Sequence, residues 1–361
     1  RNGKWSNFID DIFQYHYQQA GSVRTANESQ DEQNSLASFY GRLTYSINDR
    51  YLFTATGRYD GSSRLASGNR WDFFPSVSAG WNIQKESFMR NLKWLDLLKV
   101  RGSIGTLGNA EKLGFYEPYP RLSVGPKYSF NDTQVVGVLY GNPANPDLKW
   151  ETSTTYNLGL DASFKNGLFG FEADIWEKRT NDILLTVPVS TIVGLPSANM
   201  TTNAGKVGSH GFDLVLTHNN RVNADFSYNA AFTISGWRSW VIDLKDRATP
   251  FGTLRPTGDL GDWYGYQAVS IINTEEQLAN YRNLDGVPPQ IGMGDLMYKD
   301  QNGDGRLDYM DQVRIGNRFV KTQFGLNMGF QYKAFDFAVL FQGAANTDRV
   351  WDGYTRNALM N

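Results

Sequence analysis

Hydrophobic and polar residues alternate with a period of two over long stretches of the chain. In Leu36–Ile47 the positions Ala37, Phe39, Gly41, Leu43, Tyr45 and Ile47 share one strand face. Ser38, Tyr40, Arg42, Thr44 and Ser46 share the other. After the polar turn Asn48-Asp49-Arg50, the run Tyr51–Asp60 repeats the pattern, with Tyr51, Phe53, Ala55, Gly57 and Tyr59 set against Leu52, Thr54, Thr56, Arg58 and Asp60. The pair predicts a β-hairpin with one uncharged, aromatic-rich face.

The same object recurs along the chain. Phe73, Pro75, Val77, Ala79, Trp81 and Ile83 alternate with Phe74, Ser76, Ser78, Gly80 and Asn82, and Leu98–Thr106 alternates likewise after a short helical turn expected within Lys85–Trp94. Tyr156–Phe164 and Phe169–Ile175 flank Lys165-Asn166-Gly167, whose Asn-Gly pair is a strong hairpin signal. Phe212–Thr217 and Ala224–Ile234 flank an expected turn at Asn219-Asn220, and Phe324–Tyr332 and Phe335–Phe341 close the series. Between the hairpins lie polar excursions read as long loops at about 1–34, 108–149 and 237–313. No internal domain boundary interrupts this pattern, so 1–361 reads as one repeating all-β architecture.

Alternation fits either a soluble sandwich or a membrane barrel. Three features favour lipid: uncharged apolar faces, Phe, Tyr and Trp near strand ends, and short turns alternating with long loops. No window holds the roughly 18 apolar residues of a membrane-spanning helix. The mean hydropathy of -0.46 does not argue against a barrel, whose strands spend half their positions on a polar interior. Aromatics at 14% and 36 glycines favour strands and turns. The absence of cysteine excludes disulfides and Cys-ligated zinc, and a net charge of -2 gives no footprint for nucleic acid. The start at Arg1, with no leader, suggests an internal piece of a longer protein.

Several short segments add a resemblance. They are Arg58-Tyr59-Asp60-Gly61-Ser62-Ser63-Arg64 with Gly68-Asn69-Arg70-Trp71 and Phe74-Pro75-Ser76-Val77-Ser78; Leu98-Lys99-Val100-Arg101-Gly102-Ser103 with Gly108-Asn109; Asn145-Pro146-Asp147-Leu148-Lys149-Trp150-Glu151-Thr152; Asn203-Ala204-Gly205-Lys206-Val207; and Gly294-Asp295 leading into Asp300-Gln301-Asn302-Gly303-Asp304-Gly305. In order and spacing, from about Ser35 to Phe341, the series resembles the barrel part of the SusC/RagA family of TonB-dependent outer-membrane transporters. The resemblance implies a large antiparallel transmembrane β-barrel of twenty-two strands, of which this chain holds about half, and a plug domain lying outside this chain. It also implies a SusD-like surface lipoprotein above, TonB-ExbB-ExbD reached through a missing N-terminal region below, an outer-membrane lipid surround, and import of an oligosaccharide or peptide. A β-rich surface glycan-binding protein and a family member with a scaffolding role are the alternatives.

Candidate chemistry is sparse. Asp300, Asn302, Asp304, Arg306 through its carbonyl, Asp308 and Asp311 fall at the ligand spacing of an EF-hand-type Ca2+ loop, with Gly305 at the sharp turn. The last ligand is Asp rather than Glu and the flanks look extended, so an Asx-turn loop ordered without metal is the competing reading. Trp5, Tyr116, Tyr119, Tyr128, Trp263, Tyr264 and Tyr266 in the loops are candidates for stacking on cargo. His16, His210 and His218 have no catalytic company, Gly205-Lys206 lacks the upstream glycine of a phosphate loop, and no nucleophile–base pair stands out, so no enzyme is expected.

Overall fold

The computed structural model describes residues 5–8, 21–24, 32–120, 122–130, 132–141, 143–190, 199–244 and 258–350. Two short strands, β1 (Trp5–Phe8) and β2 (Gly21–Arg24), pair with each other; Phe13, Tyr15, His16 and Tyr17 lie outside the described residues. Next come β3 (Leu36–Ile47), β4 (Tyr51–Ser62), β5 (Trp71–Asn82) and β6 (Leu95–Asn109), then the hairpin β7 (Leu122–Phe130) and β8 (Thr133–Tyr140). They are followed by β9 (Glu151–Phe164), β10 (Phe169–Asn181), the short pair β11 (Leu184–Pro188) and β12 (Asn199–Asn203), β13 (Lys206–Arg221) and β14 (Phe226–Asp243). A loop body carries β15 (Asp262–Tyr266), β16 (Ala268–Ile271), α1 (Glu275–Arg282), β17 (Leu296–Tyr298) and β18 (Gln312–Asn317), before β19 (Thr322–Tyr332) and β20 (Phe335–Ala345).

Ten of these strands form one antiparallel sheet in the order β20-β19-β14-β13-β10-β9-β6-β5-β4-β3. Each sheet strand therefore pairs with the next sheet strand along the chain, the up-and-down order of an outer-membrane barrel wall. Register keeps the apolar positions in line across the whole sheet. One row runs Phe53↔Ala79↔Gly102↔Leu158↔Ile175↔Phe212, and Leu216↔Phe232↔Leu326↔Phe341 continues the same face. A slip of one residue at any pairing would reverse the face of every strand beyond it.

Among the described residues no second layer covers that face. Phe39 is 67% exposed, Leu43 70%, Phe337 54% and Phe341 56%, and the large buried apolar side chains lie almost wholly in loop bodies. A continuous apolar face of this extent is untenable in water and suits hydrocarbon.

The connections differ at the two ends. At one end four of them are two to four residues long, 48–50, 165–168, 222–225 and 333–334, and the fifth, 83–94, is filled by two 3-10 turns. Asn48 and Asp49 (φ 51° and 53°) and Lys165, Asn166 and Gly167 (φ 52°, 57° and 78°) take the left-handed backbone that matches strand twist in tight hairpins. At the other end the chain spends 63–70, 110–150, 182–205 and 244–321. Aromatic bands mark both ends. Tyr51–Trp81, Trp94–Phe164, Phe169–His218, His218–Tyr228 and Phe330–Phe337 sit near the short turns. Phe39–Trp71, Tyr59–Trp71 and His210–Trp240 sit toward the long loops. His210 and His218 are therefore ring partners in these bands.

Four local expectations shift. The turn expected at Asn219-Asn220 lies at 222–225, because Asn219 and Asn220 still pair with Asn229 and Tyr228 while the Asn223 side chain accepts from the N–H groups of Asp225 and Phe226. The stretch 108–149 holds the end of β6 and the β7–β8 hairpin, whose alternation is interrupted by a register shift between Val124 and Lys127, where Gly125 and Pro126 fall. Within 237–313, β14 runs on to Asp243 and a small folded body follows. The helical turn expected in Lys85–Trp94 is two 3-10 turns, Ile83–Lys85 and Ser87–Met89.

The two faces predict opposite responses to charge on one strand. Leu214→Arg, on the apolar face of β13, is expected to destabilise the full-length protein in lipid vesicles by about 2–4 kcal/mol. Val215→Arg, on the polar face opposite Glu172, is expected to be tolerated. Urea unfolding midpoints compare the two, and equal losses would contradict the assignment of faces.

Candidate functional site at the rim and the luminal wall

The motif segments that lie far apart in the chain meet where the long loops leave the strands. Leu65, Phe74, Ala110, Leu113, Leu148, Trp150 and Leu184 form a buried cluster there. Trp150 packs edge-on against Phe74 at 5.5 Å and donates its indole N–H to the Arg70 carbonyl at 3.1 Å. A Cβ at Gly108 would collide with the Phe74 ring, so the glycine of that motif is sterically required. Lys149 and Asn203 exchange two hydrogen bonds, with Lys149 N–H donating to Oδ1 at 2.9 Å and Asn203 Nδ2 donating to the Lys149 carbonyl at 3.0 Å. Glu151 accepts from Lys112 Nζ and from the Leu184 N–H. Arg64 donates to the carbonyls of Glu111 and Leu113 and lies over the Phe115 ring. These contacts bind three loops into one brace above the wall.

A second brace holds the 258–317 body. Asp259 and Asp262 are buried; Asp259 accepts from Arg238 Nε at 2.7 Å and from Lys321 Nζ. Asp262 accepts from Arg314 Nε at 2.7 Å and from Asn317 Nδ2 at 2.6 Å. Asn317, 1% exposed, also donates to the Leu260 carbonyl, and its N–H donates to Asp348. Both ends of the insertion are thus fixed to β14 and to the chain beside β19 and β20. Burial alone would raise the Asp259 carboxyl, but hydrogen bonds from Lys321 and Arg238 outweigh it and hold the group below the usual range.

The body has its own core of Ile272, Leu278 and Tyr281, and α1 is capped by a reciprocal Thr274–Gln277 box. Within it, Asp300 accepts from the N–H groups of Gly303 and Gly305, Asn302 from that of Asp304, and Asp304 from that of Arg306. Asp308 accepts from Met310 N–H, and fully buried Asp311 accepts from Gln301 and Asp308 N–H. Arg306 pairs through its side chain with Asp285 at 3.1 Å. Among the described residues no three carboxylates or imidazoles converge at metal-binding spacing. The carboxylates and Asn302 of this loop accept hydrogen bonds from the loop's own N–H groups.

The aromatic candidates fall in two separate places. Trp263 and Tyr264 are half-buried on β15 opposite Gly316 and Arg314, and Tyr266 lies 5.7 Å from Tyr298. Tyr116, at φ 63°, and Tyr119 are exposed beyond β6, where the Tyr116 hydroxyl accepts from Gln33 N–H at 3.3 Å. Tyr128 is exposed on β7, and the side chain of Trp5 is outside the described residues.

On the polar face of the wall, Arg101 ties three strands together. Its terminal nitrogens grip Asp174 at 2.7 and 2.6 Å and Nε reaches Asp161 at 3.1 Å, with Lys99 3.9 Å from Asp161. Gly159 leaves room for the guanidinium, which a Cβ there would meet at 2.6 Å. The pairing of Arg101 with these carboxylates and the Asp259–Asp262 network were not legible in the sequence. The only available signal was that Asp161 and Asp174 alternate with apolar residues.

A single sheet with an apolar exterior, a charged and hydroxylated interior and folded loops at one end is the wall of an outer-membrane β-barrel. Residues 2–360 match the family "TonB dependent receptor-like, beta-barrel", and the chain belongs to that family, a family of receptors and transporters of the outer membrane. It is 31% identical over 338 residues to TonB-dependent receptor P26 of Formosa agariphila, covering 90% of this chain and 33% of that protein. It is 28% identical over 348 residues to TonB-dependent receptor SusC of Bacteroides thetaiotaomicron, covering 90% of this chain and 32% of that one. The chain therefore spans about a third of the length of the curated relatives it matches. The structure of the RagAB peptide importer in its closed-closed state shares the fold, with a TM-score of 0.68 at 22% identity over 93% of this chain and 36% of that chain.

The braces predict a pH response. With its pKa depressed in the folded state, Asp259 stabilises the folded body above its unfolded pKa of about 3.9, and that contribution is lost as pH falls through the lower folded value. Amide exchange in 258–317 of the full-length protein is expected to stay slow at neutral pH and to rise below about pH 4. Asp259→Asn is expected to raise it already at neutral pH. Protection at pH 7 that collapses on adding a calcium chelator would instead place a cation in the Asp300–Asp311 loop.

Proposed function

We propose that this chain contributes its wall to a SusC-type importer that carries an oligosaccharide or a peptide across the outer membrane. In this reading TonB-ExbB-ExbD supplies the energy from the periplasm, and a SusD-like surface lipoprotein delivers cargo at the looped end. The carrying observation is the uncovered apolar face backed by a polar one, with braced loops on one side only. The named relatives support the reading by kinship: one is SusC, another a peptide importer by title. A soluble glycan-binding protein is disfavoured because its apolar face would need a second layer. Import of this kind calls for no bond chemistry, and Arg101, Asp161 and Asp174 of the wall are engaged with one another.

Purification of the full-length protein from its native membrane tests the proposal. Detergent is expected to be required for release, and mass spectrometry is expected to find a co-purifying surface lipoprotein. Release by carbonate without detergent, with no lipoprotein present, would contradict it.

A further inference from the structure

The luminal face of the wall divides into two chemistries. From β3 to β13 it is charged, carrying among others Arg58, Lys99, Arg101, Asp161, Asp174 and Asp213. Along 226–236 of β14 and along β19 and β20 the same face presents Asn229, Thr233, Ser235, Gln323, Asn327 and Gln342, and the one charge at these luminal positions is Asp336, beside the short turn. Gly325 and Gly329 recess this half, with the Thr233 and Asn229 side chains reaching toward the space above them. A concavity of about 470 Å³ lies between Thr233, Ser235, Gln323 and Gln342.

The halves differ in what they would do to a passing molecule. The charged half is a lattice whose members already grip one another across three strands, and fixed charges retain polar groups strongly. Amides and hydroxyls donate and accept with little preference and form weaker, exchangeable bonds. Passage requires sites that hold weakly and repeatedly. We propose that the wall of β14, β19 and β20 borders the water-filled route of an uncharged, hydrogen-bonding solute, while the wall of β6, β9 and β10, whose charges hold one another, lies off that route. This rests on the import reading above and adds the side of the barrel on which import runs.

The absence of cysteine from this chain makes the test direct. In a cysteine-free form of the full-length protein, kept in outer-membrane vesicles, Gln323→Cys and Asn327→Cys are compared with Ser103→Cys and Thr155→Cys on the charged wall. Leu326→Cys, on the apolar face, is the lipid control. The probe is the membrane-impermeant reagent 2-(trimethylammonium)ethyl methanethiosulfonate. Positions 323 and 327 are expected to react about ten times faster than 103 and 155. Raffinose, an uncharged trisaccharide, is expected to slow them more than sodium gluconate of equal osmolarity. Equal or reversed rates on the two walls, or no effect particular to raffinose, would overturn the proposal and leave the import reading standing. Fast labelling at 326 with slow labelling at every luminal position would overturn the import reading itself.

Discussion

Inside a bilayer an unpaired backbone N–H or C=O costs several kcal/mol, so a strand can stay there only if both of its edges are satisfied by other strands. That constraint governs this structure. It explains why all ten wall strands pair with their neighbours along the chain, why the pairings stay in register through up to 15 consecutive partners, as in Val207–Arg221 of β13 against β14, and why the turns at the lower end are as short as two or three residues. It also makes the side chains simple to read. Each position looks either to lipid or to the lumen, and the register keeps every strand's choice consistent with the next.

Where the constraint lapses, above the membrane, the chain spends its length differently. The loops contain most of the buried apolar side chains, among them Leu65, Leu113, Leu148 and Ile272, and much of the buried polar bonding. A cluster around Phe74 and Trp150 gathers three loops, and the carboxylates Asp259 and Asp262 anchor the 258–317 body at both ends. The rim is thereby a set of braced bodies standing on a wall whose own stability comes from backbone pairing. Its long loops can vary in surface chemistry without disturbing the strands.

The parts legible in the sequence were those fixed by period two. Leu36–Ile47 with Tyr51–Asp60 could be read because alternation and turn residues agree there, and Phe324–Tyr332 with Phe335–Phe341 because alternation alone is strong enough. The turn after β13 was misplaced because Asn219-Asn220 looks like a turn while their polar side chains are tolerated near the membrane boundary, and Asn223 does the turning. The β7–β8 hairpin escaped notice because the register shift at Gly125-Pro126 breaks its period. The motif segments pointed to the family, yet only coordinates bring Lys149 to Asn203 or Arg70 to Trp150, since those pairs are long-range and carry no local pattern. The same holds for the two aspartates that receive Arg101. In the Asp300–Asp311 loop the spacing was visible and so was the Asx-turn reading, but which N–H each carboxylate accepts from was not.

The membrane wall requires that the apolar strand faces point to lipid and the polar ones to the lumen. Nitroxide labels placed one at a time along Thr322–Tyr332 of the full-length protein in bilayers measure this directly, through relaxation by oxygen, which concentrates in lipid, and by a water-soluble nickel chelate. Oxygen accessibility is predicted to peak at 324, 326, 328 and 330 and nickel accessibility at 323, 325, 327 and 329, in strict alternation. Opposite phase, or no alternation at all, would mean that the apolar residues are packed inside a protein core and that the structure has been read with its faces exchanged.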